Sequence, residues 1–187
     1  MIVETERLRL RRLTRLDAPF MVGLLNEPAW LRFIGDRGVR TAEDAQAYLE
    51  KSYLAGYARD GFSMFLVERL ADGAALGVCG LMRRDVLDDV DLGFGFKREH
   101  RRRGYAREAA EAMLRWGHET LGLGRIVAIT DPDNAASIEL LGKLGFRDEG
   151  LIRPYAGGEV VRRFGWRSPR TSERSDPVAL DVDRSAS

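Results

Sequence analysis

Residues 99–109 read EHRRRGYAREA, a run of basic residues that leads directly into helical spacing. Gly104 follows three arginines, and the small Ala106 stands two positions later. A helix start leaves backbone N–H groups unpaired and carries partial positive charge, so phosphate is a natural partner for it. A charged loop ahead of a helix is also typical of plain solvated surface. Taken alone, the junction is either a phosphate-binding loop or exposed surface.

The segments around this junction predict a single mixed α/β domain. RLRLRRL at residues 7–13 alternates, with Leu8 and Leu10 on one face, which is typical of a strand. ADG at residues 71–73 separates two apolar runs and predicts a β-hairpin. Thr41 is the expected N-cap of a helix, with Asp44 close to completing a capping box. Helices are expected at residues 17–26, 41–58, 104–119 and within 131–146, and further strands at 62–70, 75–82, 90–96, 125–130 and 160–166.

The helix predicted at residues 104–119 is amphipathic. Its apolar stripe consists of Ala106, Ala109, Ala110, Met113 and Trp116. Its polar face consists of Arg107, Glu108, Glu111 and Arg115. Because Glu111 and Arg115 are four residues apart, we expect them to form an ion pair on the polar face.

Composition and charge argue against several classes of protein. A chain of 187 residues suits one domain with a useful core. A formal net charge of +1 gives no general attraction for nucleic acid. No apolar run approaches the length of about 18 residues that a membrane span needs, and MIVETERLRLRRL at the N-terminus lacks the apolar stretch of a secretion signal. We therefore expect a cytoplasmic protein with neither nucleic acid nor membrane as a partner.

Cysteine and histidine are scarce, which limits redox and metal chemistry. Cys79 is the single cysteine and lies within the apolar LGVCGLM, so we expect an inert buried thiol in a reducing compartment, with a reactive thiol as the alternative. His100 and His118 are the two histidines, and no metal site is expected. Residues 168–187 are polar, contain two prolines and predict a disordered tail after a domain at residues 1–167.

Together with the segments that follow it, the junction resembles the Gcn5-related N-acetyltransferase (GNAT) family, and within it the RimJ/RimL branch. The acetyl-coenzyme A loop of the family, Gln/Arg-x-x-Gly-x-Gly/Ala, is matched by Arg101, Gly104 and Ala106. The Asn-x-x-Ser and Lys-x-Gly-Phe motifs of the branch are matched by Asn134, Ser137, Lys143, Gly145 and Phe146. ETERLRLRRL, GVCGL and LGFRDEGLIR also match branch sequences, so the resemblance covers about residues 2–166.

The resemblance implies an α/β GNAT acyl-CoA N-acyltransferase fold, with a mixed, mostly antiparallel sheet flanked by helices and with splayed central strands. It implies that acetyl-CoA is the acetyl donor. The backbone N–H groups from Arg102 to Arg107 would hold the pyrophosphate, and the strand at Phe94 and Phe96 would pair with the pantetheine arm. The implied coenzyme-binding residues are Phe94, Phe96, Arg101, Arg102, Arg103, Gly104, Tyr105, Ala106, Arg107 and Asn134. Gly93 and Gly95 either admit the ligand or relieve crowding.

The resemblance also implies direct acetyl transfer to a primary amine, either a protein N-terminal α-amine or a small-molecule amine. Asp91 is then the candidate base, acting through water, and the alternative is a surface carboxylate beside Arg83 or Arg84. Ser137 is the candidate partner of the departing thiolate, and the alternative is a hydroxyl that bonds the helix backbone. Leu141 stands where many GNAT enzymes carry a tyrosine acid, seven positions after the asparagine.

Several further features are expected or left open. Asn134 is expected to cap the following helix, and Lys143 to lie on the surface. Trp30, Phe33 and Tyr155 are expected near the acceptor or in the core. A coenzyme-binding sensor without turnover is the alternative function, because the tyrosine is missing. Members of the family often dimerise, and the residues leave the oligomeric state open.

Overall fold

The computed structural model describes residues 2–168, which form one sheet with helices on both faces. The strands are β1 (Ile2–Glu4), β2 (Leu8–Arg12), β3 (Met64–Arg69), β4 (Ala75–Met82), β5 (Asp91–Phe96), β6 (Arg125–Thr130), β7 (Arg147–Ile152) and β8 (Val161–Arg167). The helices are α1 (Ala18–Leu25), α2 (Pro28–Phe33), α3 (Ala42–Leu49), α4 (Ala55–Asp60), α5 (Tyr105–Glu119) and α6 (Ala135–Lys143).

The sheet has the spatial order β1-β2-β3-β4-β5-β6-β8-β7, and every neighbouring pair is antiparallel except β5 and β6. These two parallel strands are in register only at Asp91 and Val127, where Val127 N donates to Val90 O at 2.9 Å. Beyond that point β6 continues to pair with β8 while β5 continues to pair with β4. The two strands therefore diverge into a V, as the family resemblance predicts.

The two faces of the sheet are covered by different helices, as the alternation of β3 makes clear. Phe65 and Val67 pack in the core that contains the buried face of α5, whereas Met64 and Leu66 pack in the core formed with α1, α2 and α3. Leu8 and Leu10 are both buried on the α5 face, which confirms the strand predicted from their alternation. Each face of the sheet therefore packs against its own hydrophobic core.

Most predicted elements are present, and three short ones were not predicted. β1 and α2 are only three and six residues long, too short to establish a periodic pattern. β7 is an edge strand whose first five residues are all exposed, so it has no apolar alternation. The predicted capping box is confirmed, since Asp44 N donates to Thr41 Oγ1 at 3.1 Å and Thr41 N donates to Asp44 Oδ2 at 2.9 Å.

Helix α5 has the predicted apolar stripe, but its polar face is paired differently. Ala109, Ala110 and Met113 are buried. Glu111 accepts from Arg107 Nε at 2.7 Å, so the expected pair with Arg115 is wrong. Both arginines lie four residues from Glu111, and spacing alone cannot choose between them.

The structure also bears on the expectations about the cysteine, membrane spans, metal sites and the C-terminal tail. Cys79 is fully buried in β4 opposite Phe94, and burial raises the pKa of its thiol, which agrees with an inert core residue. No helix in residues 2–168 is long and apolar enough to cross a membrane, and no cluster of metal-ligating side chains occurs in the same range. Ser168 is buried and its N–H donates to Gly124 O at 3.1 Å. The rest of the predicted tail, residues 169–187, lies outside the described residues.

Candidate active site

The V between β5 and β6 opens into a cleft of about 1410 Å³. Strand β5, the first turn of α5, the end of β6 and the start of α6 form one part of the cleft, and α2 with residues 48–64 forms another. Asp91 and Ser137 line this cleft, as do all the predicted coenzyme-binding residues except Arg103. The structure therefore brings predicted residues from three separate segments of the sequence to one place.

Strand β5 presents to the V backbone groups that are not paired with another strand. In an antiparallel pair, successive residues direct their N–H and C=O groups alternately toward and away from the neighbouring strand. Lys97 N donates to Leu76 O of β4, while Val90 O accepts from β6, so odd-numbered residues face β4 and even-numbered residues face β6. The backbone groups of Phe94 and Phe96 consequently point into the V, where β6 has already diverged. The side chain of Phe96, by contrast, is buried in the core.

The two glycines of β5 relieve crowding on the other face of the strand. A Cβ at Gly95 would lie 2.4 Å from Trp30 Cζ3, and a Cβ at Gly93 would lie 3.2 Å from Met64 Sδ. Trp30 comes from α2, so Gly95 is the point where that helix approaches the sheet. Relief of crowding thus has structural support at both positions, and because both glycines also line the cleft, a role in admitting the ligand stays a prediction.

The loop into α5 leaves the helix start open. Arg102 has φ 59° and Gly104 has φ 81°, two left-handed positions that turn the chain into the helix. Gly104 is the N-cap and has no side chain to cap with, so the N–H groups of Tyr105, Ala106 and Arg107 have no partner within the helix. An anion in the cleft would meet these groups together with the positive end of the helix dipole.

The three consecutive arginines have three different environments. Arg101 folds back, with Nε donating to Phe96 O at 2.8 Å and Nη2 lying 3.4 Å from Glu27 Oε2. Arg102 is exposed and lines the cleft. Arg103 does not line it, and the carbonyl of Arg103 accepts from Arg7 Nη1 at 3.1 Å. The place of Arg103 among the coenzyme-binding residues stays a prediction, and it would rest on the backbone N–H and not on a side chain that lines the cleft.

Asp91 is a buried carboxylate with one free oxygen. Its side chain is 1% exposed, and Oδ2 accepts from Arg84 Nε at 2.6 Å. Within residues 2–168, Oδ1 has no hydrogen-bond partner. Burial raises the pKa of Asp91. The charge and hydrogen bond of Arg84, and to a smaller extent the nearby backbone N–H of Ile129, oppose that rise without cancelling it. The surface-carboxylate interpretation is wrong about exposure, although the pairing with Arg84 is present.

Asn134 and Ser137 mark the start of α6. Asn134 Oδ1 accepts from Ser137 N at 3.2 Å, which confirms the predicted cap. Ser137 is half-buried and lines the cleft, and its hydroxyl makes no hydrogen bond to any described residue, so it does not bond the helix backbone. Leu141 is buried in the core, and Lys143 pairs with Glu139 at 2.6 Å on the surface, as expected.

Aromatic side chains also line the cleft. Trp30, Phe33 and Tyr155 are among them, and their place near an acceptor stays a prediction. Trp30 is buried, and its Nε1 has no hydrogen-bond partner among the described residues. Tyr48 and Tyr53 also line it, with hydroxyl oxygens 3.3 Å apart. The sequence did not single out these two tyrosines, because helical spacing made them resemble ordinary core residues.

Comparisons with known proteins agree with this arrangement. A family model described as an acetyltransferase (GNAT) domain matches residues 7–147. The uncharacterized N-acetyltransferase p20 of Bacillus licheniformis is 31% identical over 163 residues, covering 84% of this chain and 89% of p20. An acetyltransferase from Agrobacterium tumefaciens has a TM-score of 0.76 at 23% identity, covering 90% of this chain and 95% of that one.

A further solved structure is that of RimL, a ribosomal alpha-N-protein acetyltransferase in complex with coenzyme A. Its TM-score is 0.76 at 18% identity, covering 89% of this chain and 98% of RimL. The chain belongs to the GNAT family. It is an acetyltransferase with the GNAT fold, and RimL is among the proteins that share this fold, in line with the resemblance of the sequence motifs.

Proposed function

We propose that this protein transfers the acetyl group of acetyl-CoA directly to a primary amine, either the α-amine of a protein N-terminus or the amine of a small molecule. The observation that carries the proposal is the buried Asp91 with its free oxygen, in the same cleft as the open N–H groups at the start of α5. Asp91 can accept a proton from the amine, and the N–H groups at the start of α5 can bind the diphosphate of the donor.

The donor would occupy the V. Its diphosphate would accept hydrogen bonds from the N–H groups at the start of α5, and its pantetheine arm would extend β5 at Phe94 and Phe96. Asn134 uses Oδ1 as a cap and keeps its amide nitrogen for the amides of that arm. A backbone N–H of the Phe94–Phe96 stretch would then stabilise the oxyanion that forms on the thioester carbonyl.

Transfer requires a neutral amine. Asp91, directly or through water, takes a proton from the ammonium group, and the nitrogen lone pair attacks the thioester carbon. The tetrahedral intermediate collapses with cleavage of the C–S bond, and the thiolate leaves as coenzyme A. Ser137, which lines the cleft, can donate a hydrogen bond to the departing sulfur. The amine retains the acetyl group as an amide and releases its second proton to solvent.

The cost of neutralising the amine favours an α-amine as acceptor. At pH 7 deprotonation costs about 1.4 kcal/mol for an α-amine of pKa near 8, but roughly 4 to 5 kcal/mol for a lysine side chain. A single buried carboxylate suffices for the former. RimL, which shares the fold, is itself named as an alpha-N-protein acetyltransferase.

The test is an acceptor screen with acetyl-CoA as donor. Peptides with free N-termini, free amino acids and aminoglycosides are each mixed with the full chain, and released thiol is followed. We expect release with α-amines. Thermal stabilisation by coenzyme A without thiol release across the panel would instead support the sensor alternative, and the absence of any coenzyme A binding would contradict both.

A further inference from the structure

The ETERLRL segment at residues 4–10 has no part in the function proposed above, yet Arg7 reaches the loop that begins α5. Its Nη1 donates to Arg103 O at 3.1 Å. Its Cζ lies 4.8 Å from the centre of the Tyr105 ring. A Cβ at Gly104 would lie 3.2 Å from Arg7 Nη2, so the guanidinium is packed against the N-cap itself. One side chain thus contacts three consecutive residues of the loop.

Arg7 is held in place by Glu108, in the first turn of α5. The Glu108 carboxylate accepts from Arg7 Nε at 2.7 Å, from Arg7 N at 3.0 Å and from the Thr5 hydroxyl at 2.6 Å. Burial alone would raise the pKa of Glu108, but the hydrogen bonds from Thr5 and Arg7 outweigh it and lower the pKa. Glu108 is therefore ionised and fully engaged at neutral pH.

This arrangement affects the helix start. An acidic side chain in the first turn of a helix is attracted to the positive end of the dipole and competes with any anionic ligand there. Arg7 and Thr5 bind the Glu108 carboxylate instead and neutralise its charge. The N–H groups of Tyr105, Ala106 and Arg107 remain open toward the cleft.

We infer that Arg7, with Thr5 and Glu108, is a positioning device for the coenzyme loop: it fixes the left-handed turn at Gly104 and keeps the first-turn N–H groups open for a diphosphate. The inference rests on the coenzyme site proposed above. Arg7 acts through the loop, since its charge is neutralised by Glu108, and it is not among the residues that touch the proposed coenzyme cleft.

Arg9 provides a matched control. Both Arg7 and Arg9 come from the N-terminal segment, both side chains are 45% exposed, and both pair with a glutamate, Arg9 Nε lying 2.8 Å from Glu4 Oε1. Arg9 pairs across β1 and β2, and no contact joins it to the loop. Loss of a surface ion pair is common to both substitutions, and loss of the loop contacts is specific to Arg7.

The experiment measures coenzyme A affinity by calorimetry, and KM for acetyl-CoA and kcat by thiol release, for the full chain and for Arg7→Met, Arg7→Lys, Thr5→Val and Arg9→Met. Arg7→Met should raise Kd and KM about tenfold with kcat unchanged, as expected for loss of charge-assisted hydrogen bonds that act on binding alone. Arg7→Lys should not restore affinity, because an ammonium group cannot bond the Arg103 carbonyl and the Glu108 carboxylate while stacking on Tyr105. Thr5→Val should raise Kd less, and Arg9→Met should change it by less than about twofold.

The outcomes separate this inference from the proposed function. No coenzyme A binding by the unaltered chain would overturn the proposed function and the inference with it. Normal binding by the unaltered chain together with normal Kd in Arg7→Met or Arg7→Lys would overturn the inference alone. A lower kcat at unchanged KM would mean that the substitution reduces only the folded fraction, and would also overturn it. If Arg7→Met does not fold, Arg7→Lys and Thr5→Val decide the question.

Discussion

At the scale of single residues, Asp91 shows how burial and an incomplete set of partners prepare a group for chemistry. A carboxylate in a fold usually has its oxygens satisfied, and leaving one unsatisfied costs stability. Arg84 holds Oδ2 of Asp91, and Oδ1 accepts no hydrogen bond from any residue in the described range 2–168, so the carboxylate is oriented without being fully engaged. A raised pKa beside a cleft is typical of groups that exchange protons at neutral pH.

Substitution of Asp91 by Asn tests the role of the residue as base. Burial raises the pKa of Asp91, so kcat of the unaltered enzyme should fall as the pH drops through that pKa, where the base becomes protonated. Asp91→Asn should lower kcat at pH 7 by about 10²-fold. The deficit should shrink as the pH rises through about 8, because the α-amine then loses its proton unaided.

Asp60→Asn is the matched control for that experiment. Asp60 lines the same cleft and pairs with Arg59 at 2.8 Å, so this substitution also removes a paired carboxylate from the site. It should leave the shape of the pH–kcat profile unaltered. Parallel profiles for Asp91→Asn and the unaltered enzyme would remove Asp91 as the base.

Gly95 allows a prediction about packing at the same scale. Because a Cβ at this position would lie 2.4 Å from Trp30 Cζ3, Gly95→Ala should displace the indole and lower the free energy of unfolding by about 1–3 kcal/mol. Gly142→Ala, in α6 with open space around it, should cost nothing or stabilise the helix slightly. Denaturant unfolding measures both. Unchanged stability in Gly95→Ala with weakened coenzyme binding would mean that the glycine serves the ligand instead.

At the scale of elements, the start of α5 is the feature on which coenzyme binding depends. The N-cap is a glycine at φ 81°, and the first-turn N–H groups have no partner in the helix. Gly104→Glu would place a carboxylate at these groups, where it satisfies them and repels a diphosphate. Like charges in contact cost several kcal/mol, so coenzyme A affinity should fall by more than about 100-fold, as measured by calorimetry.

Gly122→Glu controls for backbone strain in that experiment. Gly122 follows the other end of α5 at φ 68°, and a Cβ added there would have nothing within 4 Å. Both substitutions place a side chain in the left-handed region, at a cost of roughly 1–2 kcal/mol. Both should therefore lower Tm comparably, while only Gly104→Glu loses the coenzyme. Equal affinity in the two variants would place the phosphate site elsewhere.

The elements also show how far the sequence could be interpreted. Helical periodicity at residues 104–119 predicted α5, and a continuous apolar run at residues 125–130 predicted β6. Thr41 and Asn134 located two helix starts correctly. Edge strand β7 was missed because none of its first five residues is buried and no alternation results. The sequence also could not predict which arginine forms an ion pair with Glu111, since one lies four residues away in each direction.

The candidate site was less predictable than the fold, because contacts far apart in sequence decide it. The motifs around Gly104 and Asn134 identified the part of the cleft lining that the start of α5 and the start of α6 supply. They could not distinguish three adjacent arginines, of which one turns back to Phe96 and one lies outside the cleft. The contacts of Arg7 with Arg103 and Glu108 span about a hundred residues, and no local pattern in ETERLRL indicates them.

At the scale of the whole molecule, the site results from one interruption in an otherwise continuous sheet. β5 and β6 are in register only at Asp91 and Val127, and each then follows its other neighbour. The divergence leaves an edge inside the sheet, and an unpaired edge is a template for an added strand. The donor is proposed to complete the sheet, with its reactive end at Asp91 and its phosphates at α5.

The most direct test is amide hydrogen exchange at single-residue resolution, with and without saturating coenzyme A. Bound coenzyme A should slow exchange at two separate places, the N–H groups of Phe94 and Phe96 in β5 and those of Tyr105, Ala106 and Arg107 in α5, with little change at the far end of α5. Protection confined to another surface, or no change at these five amides while coenzyme A is bound, would contradict the proposed coenzyme site.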